Sequence, residues 1–466
     1  MITETQQSLA QSVVARAQSD AASAPGQSAP LPAVYAAELD ASVAAAEANG
    51  PRWLADLRRA GAAASRAQGF PTTRHEDWHY TSTAAIAEAA FPTLTSASGA
   101  LTEGDLSPFT FGRPEWPTVV FVNGRFDAAR STLGGLPDGV RVLPLARALA
   151  EEPETLERVL GRIATPEAQP FVALNQGLFV DGALLVVQKE MEADVPVHVL
   201  HVTDATGARG ATHPRLAIVA ERHSRVTVIE SHVGLGDSAY FANPVTEVDL
   251  ADGATVQHVL VQRQSARAFH VAHVEARQGR DSHFVSFSFA TGAQLSRTNV
   301  HTLLGGEGCG ATLNGLYLLD GAQHCDHQTR IEHARPNCYS REVYKGILDG
   351  ESHGVFNGKV YVHPEAQKTD GKQENHTLLL SERAQIDTKP QLEIFADDVK
   401  CTHGATVGRL DEASAFYMKS RGIGRETARQ LLTYAFAADA LETIELEPVR
   451  VGLEELTLRR YTGKAE

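Results

Sequence analysis

The chain has 466 residues, 43% of them hydrophobic, and a formal net charge of −15. A chain this long buries most of its apolar surface without disulfide staples. An acidic one lacks the basic face that nucleic acid or an anionic membrane would need as a main partner. The four cysteines, Cys309, Cys325, Cys338 and Cys401, form no C-x-x-C pair, so thioredoxin chemistry and zinc ribbons find no support. Buried thiols in a reducing compartment are the simplest expectation. No apolar run reaches the ~18 residues of a membrane helix, and the N-terminus has no apolar core of the secretory kind. A cytoplasmic location is expected.

Residues 1–35 read as a flexible tail, because "QSDAASAPGQSAPLPA" offers too little bulk to bury. An N-terminal helical region is expected over 36–114. There "AAELDASVAAAEANG" and "PRWLADLRRAGAAASRAQG" are Ala-rich and each closes on a glycine suited to a helix C-cap. From 115 to 408 the chain turns into short β-rich segments, beginning with "TVVFVNGRF". In "HFVSFSFATG", Val285, Phe287 and Phe289 alternate with Ser286 and Ser288, as on a strand with one apolar face. Turns are expected at Gly253, Gly279, Gly292, Gly306, Gly321, Gly350 and Gly371, and no helix-period segment is evident before about residue 410. Many strands without crossover helices leave a solenoid or a sandwich, and no blade repeat supports a propeller.

Helices return over 409–466. Asp411 is a good N-cap for "EASAFYMKSR", which stops at Gly422. The following helix is expected to bury a stripe of Ala428, Leu431, Leu432, Ala435 and Phe436. Arg421, Arg425 and Arg429 read as a solvated face. This unit caps the β region, and its exposed remainder is a candidate docking surface.

The most informative stretch is "KCTHGATVG", Lys400 to Gly408. On a strand, Val399, Cys401 and His403 share one face. Either Cys401 and His403 are core residues or they are part of a metal site. A full site for zinc or an iron–sulfur cluster takes about four protein ligands, so these two need others. Within the chain, "QHCDHQTRIEHARPNC" supplies His324, Cys325, His327, His333 and Cys338, at spacings that match no zinc finger. A half-site completed by a partner chain is the alternative. No G-x-x-x-x-G-K-[ST] or G-x-S-x-G occurs, so the chain shows neither a P-loop nor a hydrolase elbow. Two enzymatic alternatives are a β-helix carbohydrate-active enzyme using acidic residues such as Asp249 or Asp281, and a mononuclear metal oxygenase on "HVAHVEARQ", His270 to Gln278.

Thr369 to Ile423, "TDGKQENHTLLLSERAQIDTKPQLEIFADDVKCTHGATVGRLDEASAFYMKSRGI", resembles the SufD branch of the SufB/SufD family, scaffold subunits of the Suf iron–sulfur cluster assembly machinery. So do "HCDHQTRIEHARPNCYSREVYKGIL", "GVFNGKVYVHPEAQKTDGKQ" and, more weakly, "PTTRHEDWHYT", "VFVNGRF" and "ALNQGLFVDG". The resemblance implies a right-handed parallel β-helix between helical terminal regions, with no catalysis by the chain itself. It implies pairing with SufB through the β-helix and binding of the SufC ATPase by the C-terminal helices. It assigns His403, with Cys401 beside it, to a transient iron–sulfur cluster shared with SufB. No stable metal or cofactor is expected in the isolated chain, for which a homodimer is compatible. Gly424, where the family often has a polar helix cap, is a departure of little consequence, since glycine is an acceptable N-cap.

Overall fold

The computed structural model describes residues 28–94, 101–167, 169–206 and 209–462. From Val197 onward, successive long strands alternate between two sheets. Val197–Asp204, Arg225–Leu235, Thr255–Arg263, His283–Ala290, Gly310–Leu319, Tyr339–Leu348, Thr369–Leu379 and Val399–Gly408 stack in a ten-stranded sheet. Arg215–Ala220, Val245–Leu250, Phe269–Gln278, Leu295–Leu304, His324–His333, His353–Val362 and Gln385–Ile394 stack in an eleven-stranded one. Every neighbouring pair in these stacks is parallel. This is a parallel β-solenoid, and the sandwich alternative falls, because two-residue hairpin turns cannot join parallel strands. The Asn123-Gly124 hairpin is real but local, pairing Val122 with Arg125 at the start of the coil.

The repeat lies in the backbone. His223, Gly253, Asp281, Gly308, Asn337 and Lys368 all have positive φ, recurring roughly every 30 residues, a solenoid period. Stacked corners are tight: a Cβ on Gly253 would lie 2.1 Å from His223 Nδ1, and one on Gly308 2.2 Å from Asp281 Oδ1. Gly371, expected in a turn, lies inside the Thr369–Leu379 strand.

Residues from both sheets meet inside the coil, among them Val228, Val256, Phe284 and Leu313 from one and Val274, Val300, Ile331 and Val360 from the other. The alternation at 284–289 has an unexpected sense. Phe287 and Phe289 point away from this interior, onto the C-terminal helices. Ser286 and Ser288 share the interior side with Phe284, and both are buried.

The tail expected through residue 35 ends earlier. Ala29 exchanges backbone hydrogen bonds with Phe70 at 2.8 and 2.9 Å, a helix begins at Ala33, and Tyr35 is fully buried. Residues 1–27 lie outside the described residues. The strand-rich stretch is also interrupted, by helices Leu145–Glu151, Pro153–Val159 and Pro170–Leu178. The last crosses Arg52–Gln68 at two glycines. A Cβ on Gly61 would sit 2.7 Å from the Gly177 nitrogen, which is backbone and cannot step aside. Gly61→Ala is expected to cost about 1–3 kcal/mol as overpacking, read as a lowered midpoint in urea unfolding.

At the C-terminus Asp411 caps helix Glu412–Ser420, accepting from the Ala413 and Ser414 amides at 3.2 and 2.9 Å. The next helix, Arg425–Leu441, buries Ala428, Thr433, Ala437, Ala440 and Leu441. The expected stripe holds at Ala428, which is buried, and at Phe436, which packs on the sheet, but Leu431 and Ala435 are exposed. Large side chains come from the sheet, Phe287, Phe289, Leu316 and Ile347 among them, so the helix offers small ones. Lys345 fixes the phase, donating to the Phe436 carbonyl at 3.3 Å and pairing with Asp439. Of the expected solvated arginines, Arg429 instead pairs with Asp349 at 3.0 Å.

Candidate functional site at the free end of the coil

Val399–Gly408 is the last strand of the ten-stranded sheet and, among the described residues, pairs only with Thr369–Leu379. Gln385–Ile394 likewise ends the other sheet, pairing among the described residues only with His353–Val362. Two ten-residue strands therefore present unpaired N–H and C=O groups side by side. Proteins normally blunt such edges. Here the devices present are Pro390, which an edge strand tolerates, and one lysine on each strand, Lys389 and Lys400. Against them, Val407, Ile394 and Phe395 are exposed at this end.

Val399 and Cys401 pack on the interior core, as their alternation predicts. His403 has the same parity, but no further turn of the coil covers it, and it is exposed. The imidazole is therefore accessible to a neighbour. Its register partner on the preceding strand is Gln373. Gln373 is buried and donates through Nε2 to Glu342 Oε2 at 2.6 Å. Burial pushes the Glu342 carboxyl up to about 7.

Cys401 is half-buried beside Gly371, where a Cβ would lie 3.4 Å from the sulfur. Burial pushes its thiol pKa up, so at neutral pH it is protonated and needs a metal or a base to become a ligand.

The intra-chain candidates do not gather. His324 hydrogen-bonds Thr81 Oγ1 at 2.9 Å on the outside of the coil, while Cys325 and His327 face inward. Burial pushes the Cys325 thiol up to about 12 and the His327 imidazole down to about 4. His333 bonds Ser340 Oγ at 3.0 Å. Cys338 meets Cys309 at a corner, both sulfurs against the Gly306 carbonyl. The neighbouring Cys338 thiol holds the Cys309 thiol below its usual range. None of these five joins a cluster of three metal-ligating side chains among the described residues.

The enzymatic alternatives keep their residues only in part. Asp249 is bound by Arg158 at 2.7 Å and Arg277 at 3.0 Å, and Asp281 occupies a positive-φ corner. In the proposed oxygenase motif, His270 faces the interior, with its ring 5.2 Å from that of His232. His273 and Glu275 project from the opposite face of the strand. His301 joins them from the next turn of the coil. Sequence reasoning missed His301, which no local spacing connects to the motif.

Among the described residues no helix is long and apolar enough to cross a membrane. Two family models match. The SufBD core domain of SUF-system FeS cluster assembly covers residues 201–436, and the SufBD N-terminal region covers 34–199. The iron–sulfur cluster assembly protein SufD of Escherichia coli is 32% identical over 401 residues, covering 84% of this chain and 88% of the relative. A SufBD family iron–sulfur cluster assembly protein of Synechocystis is 31% identical, covering 83% and 86%. The chloroplastic protein ABCI7 of Arabidopsis thaliana is 27% identical, covering 82% and 80%. A solenoid with helical ends, matched along nearly its whole described length, thus carries its own assignment: the chain belongs to the SufBD family of SUF-system iron–sulfur cluster assembly proteins.

Proposed function

We propose that this chain is a non-catalytic scaffold subunit that supplies part of the ligand set on which an iron–sulfur cluster is built. Its two free strand edges pair with a second β-solenoid subunit, SufB, and His403 faces the seam between them. Cys401 stands beside it as a second donor. The exposed C-terminal helices carry the ATPase subunit SufC. The observation that carries this reading is the exposure of His403 on a terminal strand whose outer edge is unpaired. A lone imidazole and a half-buried thiol fall short of the about four ligands a cluster takes. That shortfall suits a scaffold, which must release what it assembles.

His403→Ala tests it. The side chain is exposed, so folding and complex formation are expected to persist. Cluster formation on the reconstituted three-subunit complex, followed by its visible absorbance, is expected to fall about 10-fold or more, since even outer-shell losses cost metal sites that much. Normal cluster formation by the variant complex would refute the role given to His403.

A further inference from the structure

One cluster away from the free end has the donor set of a transition-metal site. His273 and Glu275 are two residues apart on Phe269–Gln278 and so share a face. His301, on the next turn of the coil, is the register partner of Glu275. His273 Nε2 lies 2.8 Å from Glu275 Oε2, and His301 Nδ1 lies 3.3 Å from the same oxygen. The three donor atoms fall within 4.8 Å of one another. Ligands sharing one ion at a bond length of about 2.0–2.2 Å sit roughly 3–4 Å apart, so modest side-chain shifts suffice.

Ring orientation decides between this cluster and the other of its kind. An ion bound by two imidazoles must lie near both ring planes, along each nitrogen lone pair. The His273 and His301 rings stand at 79°, with centroids 4.8 Å apart, so their planes intersect. In the second cluster, His201, Glu230 and His232, the two rings stack at 5° and 4.7 Å. Parallel planes do not meet, and Glu230 is already engaged by His258 at 2.9 Å and Thr246 at 2.8 Å. That buried group is a hydrogen-bonded interior network.

The charge balance around Glu275 points the same way. Neighbouring carboxylates on this outer face each have a guanidinium: Glu247 has Arg215, Asp249 has Arg158 and Arg277, and Glu332 has Arg330. The ion-pair partners of Glu275 among the described residues are the two imidazoles. The group is also reachable, since the Glu275 and His301 side chains are 25% and 15% exposed while His273 anchors the inner side at 4%. Two imidazoles and one carboxylate with positions open to water are a ligand set for zinc or ferrous iron.

We infer that His273, Glu275 and His301 bind one divalent first-row transition-metal ion on the outer face of the eleven-stranded sheet. The site is separate from His403 and does not depend on the scaffold reading. The test is a titration of the untagged, metal-stripped full chain with Co²⁺ under anaerobic conditions. One equivalent is expected to bind, with visible d–d absorption that Zn²⁺ displaces. Glu275→Gln preserves shape and hydrogen-bonding capacity, and its fold is checked by thermal melting. This variant and His301→Ala are each expected to weaken Co²⁺ binding about 10-fold or more. His376→Gln, a change at a surface imidazole, is expected to leave binding unaltered. Absence of d–d absorption, or Co²⁺ binding of equal strength in Glu275→Gln and His301→Ala, overturns the inference and leaves a hydrogen-bonded triad.

Discussion

Replacing Arg215 with methionine is expected to destabilise the fold by about 3–5 kcal/mol, the range for stranding one partner of a buried ion pair. Arg215 and Glu247 are both fully inaccessible and meet at 2.8 Å. The guanidinium also donates to Asn175 Oδ1 at 3.1 Å and to the Ala164 carbonyl at 3.2 Å. Glu247 accepts from the Gly161, Ile163 and Ala164 amides at 2.8–3.0 Å. The pair thus stitches the loop before Pro170–Leu178 to two turns of the coil. Removing the arginine leaves a buried carboxylate with amide donors and no counter-charge. Urea unfolding of the two chains measures the effect, and a loss below about 1 kcal/mol would mean that the amides alone satisfy the carboxylate.

Deletion of residues 409–466 is expected to yield aggregate. These residues were expected to cap the end of the β region and to offer a docking surface, but in the structure they lie on the outer face of the ten-stranded sheet and leave the end of the coil open. Ala437, Ala440, Leu441, Ile444, Val449 and Leu453 cover Ile229, Val259, Val261, Phe287, Phe289, Leu316, Leu318 and Ile347 on the outer face of the ten-stranded sheet. Burial of each large apolar side chain is worth about 1.5–3 kcal/mol, and an apolar patch of this size does not stay bare in water. Lost partner binding by the truncated chain would therefore say nothing about docking. A sharper variant lies in helix Glu412–Ser420, which has no buried residue and exposes Phe416 at 72% and Tyr417 at 60%. The double change Phe416→Ser, Tyr417→Ser is expected to keep the melting temperature and the gel-filtration elution volume of the parent. It is also expected to abolish capture by tagged SufC, the partner proposed for this surface. Undiminished capture would move the docking site elsewhere.

Local signals were legible wherever they had a local cause. The Asp411 cap, the closing glycines Gly50 and Gly69, and the Asn123-Gly124 hairpin are all where their chemistry puts them. Features set by the stacking of turns were not. The corner position is filled by Gly, Asp, Asn, His or Lys, so a search by residue type sees no repeat although the backbone has one. Helices of seven to nine residues between Leu145 and Leu178 are too short for period to separate them from strands. The phase of Arg425–Leu441 depends on which partner supplies the bulk. His403 was marked by its motif, but its exposure follows from the coil ending at the strand that carries it. His301 belongs beside Glu275 only because of register.

Because each turn of the coil hydrogen-bonds only to the turns before and after it, cohesion here is a nearest-neighbour sum, as in other one-dimensional repeats. The terminal turn, with a neighbour on one side alone, is the least cohesive and opens first. Fraying from that end costs the chain the strand that carries Cys401 and His403 while the middle of the stack stays intact, and a second coil added there would restore the missing neighbour.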